Sequence, residues 1–252
     1  MNESDPKQGE REYYARKGPE GIAHALGKPF SDDHCKFNLA NLAAIFHLLP
    51  APPIRLLHLG CGVGWLSHIL AQQRHEVVGV DIAPEAIAAA QHRRDEAGLS
   101  NLDYEVGDYE YFDGAESFDV VLFYDALHHA EEPAKAMACA HRALKANGAL
   151  IAFEPGSGHH DSPTSQEAIE RFGVHERDMP VSRIIELGEA AGFRRHLRLP
   201  HPADTLAELY HPGYSTATDQ ADLDRKKLDH TWQITRQVMR RNAPMEIVML
   251  WK

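Results

Sequence analysis

The chain has 252 residues, 43% of them hydrophobic, and a formal net charge of −11. That length supplies one substantial core and is short for two large domains, and the acid excess repels phosphate backbones, so a small molecule is favoured over nucleic acid as a ligand. No apolar run approaches the roughly 20 residues of a membrane span, no secretion signal opens the chain, and Cys35, Cys61 and Cys139 are odd in number without CxxC spacing, which predicts a cytoplasmic protein with no membrane partner, disulfide framework or zinc knuckle.

The first 33 residues are polar and rich in Gly and Pro, and read as a lid or flexible segment ahead of a single domain over residues 34–252. A helical pattern follows Ser31 and Asp32, runs through Phe37, Leu42, Ile45 and Leu49, and is closed by Pro50, Pro52 and Pro53. Short β-rich runs then alternate with helical ones: 54–59, a helix after Val63, 76–80, a helix over 84–97, and 102–106, the pattern of βαβ units. Residues 118–124 are almost continuously apolar, as in a central parallel strand covered on both faces. Pro133 opens a helix that runs to about Asn147-Gly148, and a strand follows over 149–153. The stretch 154–180 has no sustained periodicity, whereas 181–191 has helical spacing and 193–199 reads as a strand. Segments 156–180 and 200–243 read as insertions beside the site, the second with a helix over 223–241 that packs Leu228, Trp232 and Val238 inward, before a last strand over 246–251.

The sharpest signal is Leu56-Leu57-His58-Leu59-Gly60-Cys61-Gly62-Val63-Gly64-Trp65, a strand entering a glycine turn and then a helix. Glycines at 60, 62 and 64 let the backbone turn tightly and let a ligand lie on bare main chain near a helix N-terminus. A dinucleotide fingerprint would place its third glycine at 65, where Trp65 stands, which disfavours NAD and FAD. The second strand ends at Asp81, where a carboxylate can accept two ribose hydroxyls, and the third ends in Gly107-Asp108-Tyr109, where an acid can take an adenine amino group.

In this order and spacing the motifs over about residues 34–155 resemble the class I S-adenosylmethionine-dependent methyltransferases, especially the type 11 group similar to ubiquinone and menaquinone methyltransferases. The resemblance implies a Rossmann-like α/β fold: a mostly parallel seven-stranded sheet, helices on both faces and a helical insertion before the last strand. It implies S-adenosylmethionine as cofactor and S-adenosylhomocysteine as product, with a cofactor site of Gly60, Cys61, Gly62, Gly64, Asp81, Ile82, Gly107, Asp108, Tyr109 and Tyr124. Residues 118–129 look like the family's fourth motif and 144–150 like its post-helix turn, with Ala146-Asn147 in place of Pro-Gly; Asn147 tolerates left-handed backbone. The segment 13–18 resembles N-terminal lids, which places Tyr14 near the methionine carboxylate.

Methyl transfer is an in-line displacement in which positioning and exclusion of water do much of the work. A hydroxyl acceptor also benefits from a general base, and His128 and His129, just past the fourth strand, are the catalytic candidates. Glu154 faces the same edge and is expected to bond a neighbouring amide. Asp125, His128, His129 and the 158–161 stretch converge there, but no close motif for a metal-dependent enzyme is present and no metal is expected. The sequence therefore predicts methylation of a small-molecule acceptor, with oxygen preferred over nitrogen or carbon, by a monomer or homodimer. A nucleotide-dependent oxidoreductase on a similar sheet and a non-catalytic binding module are the alternatives.

Overall fold

A computed structural model describes residues 5–239 and 246–252. Its frame is one seven-stranded sheet built from β1 (Arg55–Leu59), β2 (Glu76–Asp81), β3 (Leu102–Val106), β4 (Phe118–Tyr124), β5 (Leu144–Phe153), β6 (Arg195–Pro200) and β7 (Glu246–Trp251). The strand order is β3-β2-β1-β4-β5-β7-β6, with β7 antiparallel to both neighbours and the remaining pairs parallel. The helices are α1 (Gln8–Leu26), α2 (Cys35–Leu48), α3 (Trp65–Gln72), α4 (Pro84–Ala97), α5 (Pro133–Ala143), α6 (Pro163–Phe172), α7 (Val181–Ala191), α8 (Pro202–Leu209) and α9 (Gln220–Met239).

Apolar side chains on alternate faces of the central strands feed two cores. Leu57, Val121, Phe123 and Leu150 pack with α5 and α7, while Leu56, Leu122 and Ile151 pack with α3 and Ile45 of α2. Burial on both faces explains why β4 is nearly all apolar. The register then fixes the site: Leu59 pairs with both Val80 and Phe123, and Tyr124 with Phe153. Gly60, Asp81, Asp125 and Glu154 thus emerge along one carboxyl edge of the sheet, where open α/β folds bind ligands.

Several elements depart from the sequence reading. The 1–33 segment contains a helix, α1, kinked at Gly18 (φ 67°, ψ −174°) before Pro19 and packed on α4 and α6. Helix α5 stops at Ala143 and Leu144 already belongs to β5, where it pairs with Phe118; Asn147, at φ 64°, adopts the left-handed turn inside the strand. A helix, α6, stands where no periodicity was visible. Its signals are local: the Ser162 side chain caps Ser165 N at 3.1 Å, Pro163 opens the first turn, and Gly173 closes it at φ 71°. Helix α9 leaves Leu228 and Trp232 59% and 60% exposed, contrary to their expected inward packing, because its half-buried face carries Leu223, Lys226 and His230. Arg240, Arg241 and the Val238 side chain lie outside the described residues.

Candidate active site

The strand ends and α1 enclose a cavity. The glycine turn forms its floor: Gly60 (φ 70°) leaves no room for a Cβ, which would stand 2.5 Å from Ala126 Cβ, and a Cβ on Gly62 (φ 54°) would meet the Tyr14 hydroxyl at 2.7 Å. Asp81 is fixed by two main-chain donors, Gly62 N to Oδ2 (2.7 Å) and Ala83 N to Oδ1 (3.0 Å), and its remaining lone pairs are available to a ligand. Burial raises its pKa, and these amides oppose the rise.

Of the sequence-predicted cofactor residues, Gly60, Gly62, Asp81, Ile82, Asp108, Tyr109 and Tyr14 line this cavity together with His129. The other four do not reach its wall. Cys61 is buried with its sulfur facing Gly79; Gly64 sits under Tyr104, whose hydroxyl donates to its carbonyl (3.0 Å); Gly107 lies over Val80; and the Tyr124 hydroxyl donates to Asn38 Oδ1 (2.9 Å). These residues shape the turn or the strand end from behind.

Sequence reasoning missed Lys7, at the N-cap of α1, and Glu10, in its first turn, which line the cavity with Tyr13 and Tyr14. The Lys7 ammonium lies 2.6 Å from Asp108 and 2.7 Å from Glu110, and Glu110 also accepts the amides of Glu131 (2.7 Å) and Glu132 (3.1 Å). Burial opposes the Lys7 charge, but the bonds to the two carboxylates outweigh it and raise its pKa. The readable signal was spacing: Lys7, Glu10 and Tyr14 fall at i, i+3 and i+7, one face of a helix.

The two histidines past β4 have opposite environments. Buried Glu154 accepts Ala126 N (3.1 Å) and Leu127 N (2.8 Å) on Oε1, and His128 N (3.2 Å) and His128 Nδ1 (2.8 Å) on Oε2. Glu154 thus bonds neighbouring amides, as expected, and also the imidazole. The other His128 nitrogen faces Glu176 at 3.5 Å. Burial alone would lower the His128 pKa, but hydrogen bonds and charges from Glu154 and Glu176 push it up to about 10, so this side chain is an imidazolium at neutral pH.

For His129, burial and then the positive charge of His128 lower the pKa. Its Nδ1 lies 2.5 Å from the His175 carbonyl, which can only accept, so the neutral ring carries its proton on Nδ1 and leaves Nε2 with a lone pair. His128, His129 and Glu176 also offer ligand atoms within 4.8 Å of one another, a grouping able to hold a metal ion. Each of these histidines already has one nitrogen committed to a protein oxygen.

The comparisons with known proteins agree with this geometry. Residues 57–152 match the family described as a methyltransferase domain. Residues 57–152 carry a methyltransferase domain. A ubiquinone biosynthesis O-methyltransferase of Azorhizobium caulinodans is 39% identical to it over 105 residues, 41% of each chain. The first relatives are therefore matched over about two-fifths of their length. A protein of the same name from Xylella fastidiosa aligns over 218 residues at 29% identity, covering 82% of this chain and 81% of that one. Among solved structures, the phosphoethanolamine N-methyltransferase 2 of Haemonchus contortus, in complex with S-adenosyl-L-methionine, has a TM-score of 0.68 at 18% identity and covers all of this chain and 60% of its own. The glycine turn, Asp81 and Asp108 all lie within the matched residues.

Because His128 is charged in the folded state and its free pKa is near 6.5, the Glu154–His128 pair contributes its full stability below about pH 6.5 and loses it as pH rises toward 10. We expect urea-unfolding free energy to fall from pH 7 to 10 in the wild type. Glu154→Gln should cost about 3–5 kcal/mol at pH 7, by leaving a buried charge unpaired, and should flatten that slope. A wild-type stability that is level between pH 7 and 10 would contradict a charged His128.

Proposed function

We propose that the protein transfers a methyl group from S-adenosylmethionine to a hydroxyl of a small-molecule acceptor, with His129 as general base and His128 as its positioning residue. The observation that carries this reading is the division of the pair: one imidazole is held charged and out of the cavity, while the other is kept neutral on its wall with Nε2 unprotonated. The cavity fits the cofactor. Gly60 and Gly62 leave a cradle that Cβ atoms would fill, Asp81 is fixed with lone pairs to spare, and five carboxylates (Glu10, Asp81, Asp108, Glu110 and Asp125) face a single ammonium, Lys7, a donor set suited to ribose hydroxyls and a cation.

Bound S-adenosylmethionine supplies an electrophilic methyl group on a sulfonium. Gly60 and Gly62 would bear its methionine portion, Asp81 its ribose and Asp108 its adenine, while Tyr13 and Tyr14 on α1 exclude water. His129 Nε2 takes the acceptor's hydroxyl proton as the oxygen attacks, and the His175 carbonyl holds the ring in the productive tautomer. Glu154 fixes the 126–128 turn from beneath, so the base cannot drift from the cavity wall.

Oxygen is preferred because a hydroxyl must lose its proton, whereas a neutral amine needs no base at the attacking step; the two bacterial relatives, named as O-methyltransferases, support this preference. The methyltransferase match weighs against both an oxidoreductase and a non-catalytic module. A cytoplasmic enzyme, monomeric or homodimeric, fits the three free cysteines, and the net charge of −11 weighs against a nucleic-acid acceptor. Among the described residues no helix is long and apolar enough to cross a membrane.

His129→Ala should lower kcat by about 100- to 10,000-fold while the Kd for S-adenosylmethionine changes by less than about twofold. In the wild type, kcat should rise with pH through an inflection below 6.5 and then level off, since the His129 pKa is depressed. His128→Gln removes the neighbouring positive charge and should move that inflection upward, which a purely structural role would not do. Loss of no more than a few-fold in kcat for His129→Ala would rule out base catalysis by this residue.

Asp81→Ala should weaken S-adenosylmethionine binding by about 1–3 kcal/mol, measured by calorimetry on folded protein. An unchanged affinity would remove Asp81 from the cofactor site.

A further inference from the structure

Glu10 is the one carboxylate of the cavity wall that arrives from α1, and its two oxygens are used differently. Oε1 accepts two bonds from His175, from the amide N at 2.6 Å and from Nδ1 at 2.7 Å. Oε2 is buried and has no partner. The side chain is 11% exposed, and the bonds from His175 keep it ionised against the opposing effect of burial. A buried charged oxygen left without a donor is costly, and proteins keep such groups where a ligand completes them.

The position of that oxygen narrows the choice of ligand. Glu10 lines the cavity alongside Asp125, His129 and Val174, the end where β4 and the 3-10 turn over Leu127–His129 meet the 174–176 segment. Lys7, at the N-cap of α1, is engaged with Asp108 and Glu110, and His175 pairs with Glu10 through Oε1 alone, its other ring nitrogen lying 2.6 Å from Glu131. Among the described residues Oε2 itself has no donor, so an incoming positive charge would find there an unengaged carboxylate oxygen shielded from water, where charge interactions are strongest.

We propose that Glu10 is a specificity-determining residue whose free oxygen reads the positive charge of the cofactor's sulfonium, so that the docked α1 distinguishes S-adenosylmethionine from S-adenosylhomocysteine. This rests on the cofactor reading given above. The two molecules share adenine, ribose and amino-acid portions and differ by the methyl group and its charge. When the carbon–sulfur bond breaks, its electron pair stays on sulfur and the sulfonium becomes a neutral thioether. The attraction to Glu10 is lost in the same event, which loosens the hold of α1 on the product.

Calorimetric titration of wild type and Glu10→Gln with S-adenosylmethionine and, separately, S-adenosylhomocysteine tests this. Glutamine retains an oxygen to accept both bonds from His175, so α1 stays docked, as circular dichroism and a thermal melt would verify. The expected result is about a tenfold weaker S-adenosylmethionine complex with less than about a twofold change for S-adenosylhomocysteine. Glu10→Ala, which also gives up the His175 contact, should add to the selective loss a smaller one common to both molecules. Equal losses for both molecules, or none for either, would overturn the proposal while leaving the cofactor reading intact. Failure of the wild type to bind either molecule would overturn both.

Discussion

The Glu154 carboxylate, at the carboxyl end of β5, holds the backbone and imidazole of the turn that leaves β4. Three amides and one ring nitrogen converge on its two oxygens within 3.2 Å. A carboxylate buried to this degree is stable only while those donors are present. The bond set therefore specifies one conformation for residues 126–128. It also explains how Asp125 holds a positive φ of 54° without glycine: its amide is anchored to the Phe153 carbonyl at 2.8 Å, and the next three amides are anchored to Glu154.

From that turn a chain of polar contacts runs to the N-terminal helix. His128 is charged by Glu154 and Glu176, and its charge helps to keep His129 neutral. The His129 ring is oriented by the carbonyl of His175, whose amide and imidazole in turn hold Glu10 of α1. Lys7, one turn earlier, ties the same helix to Asp108 and Glu110. The proposed base and the cover of the cavity thus share residues, and the cavity wall is complete only with α1 in place. Gly18, with no neighbour within 4 Å of a Cβ and a non-helical φ/ψ, lets the covering part of α1 take its own direction from the Pro19–Leu26 turns.

The sheet and the residues along its carboxyl edge were legible in the sequence because their determinants are local. The apolar run of β4 reflects burial on both faces, the 60–64 glycines mark a turn that side chains would block, and Asp81 and Asp108 follow strands whose periodicity is clear. The separation of roles between His128 and His129 was not legible. It depends on Glu154 and Glu176, which are 26 and 48 positions away from His128 in sequence and adjacent only after folding. Lys7 and Glu10 were hidden for the same reason, since their partners Asp108 and His175 lie 101 and 165 residues along the chain. Leu228 and Trp232 were misplaced because helical spacing defines a face without saying which way it turns.

The proposed chemistry depends on two protonation states, and nitrogen-15 NMR of histidine-labelled protein reads both directly. Long-range correlations assigned through single substitutions at positions 128 and 129 report the charge and tautomer of each ring between pH 6.5 and 8. His128 should be protonated on both nitrogens across this range and His129 neutral with its proton on Nδ1. A neutral His128, or a His129 carrying its proton on Nε2, would contradict that chemistry.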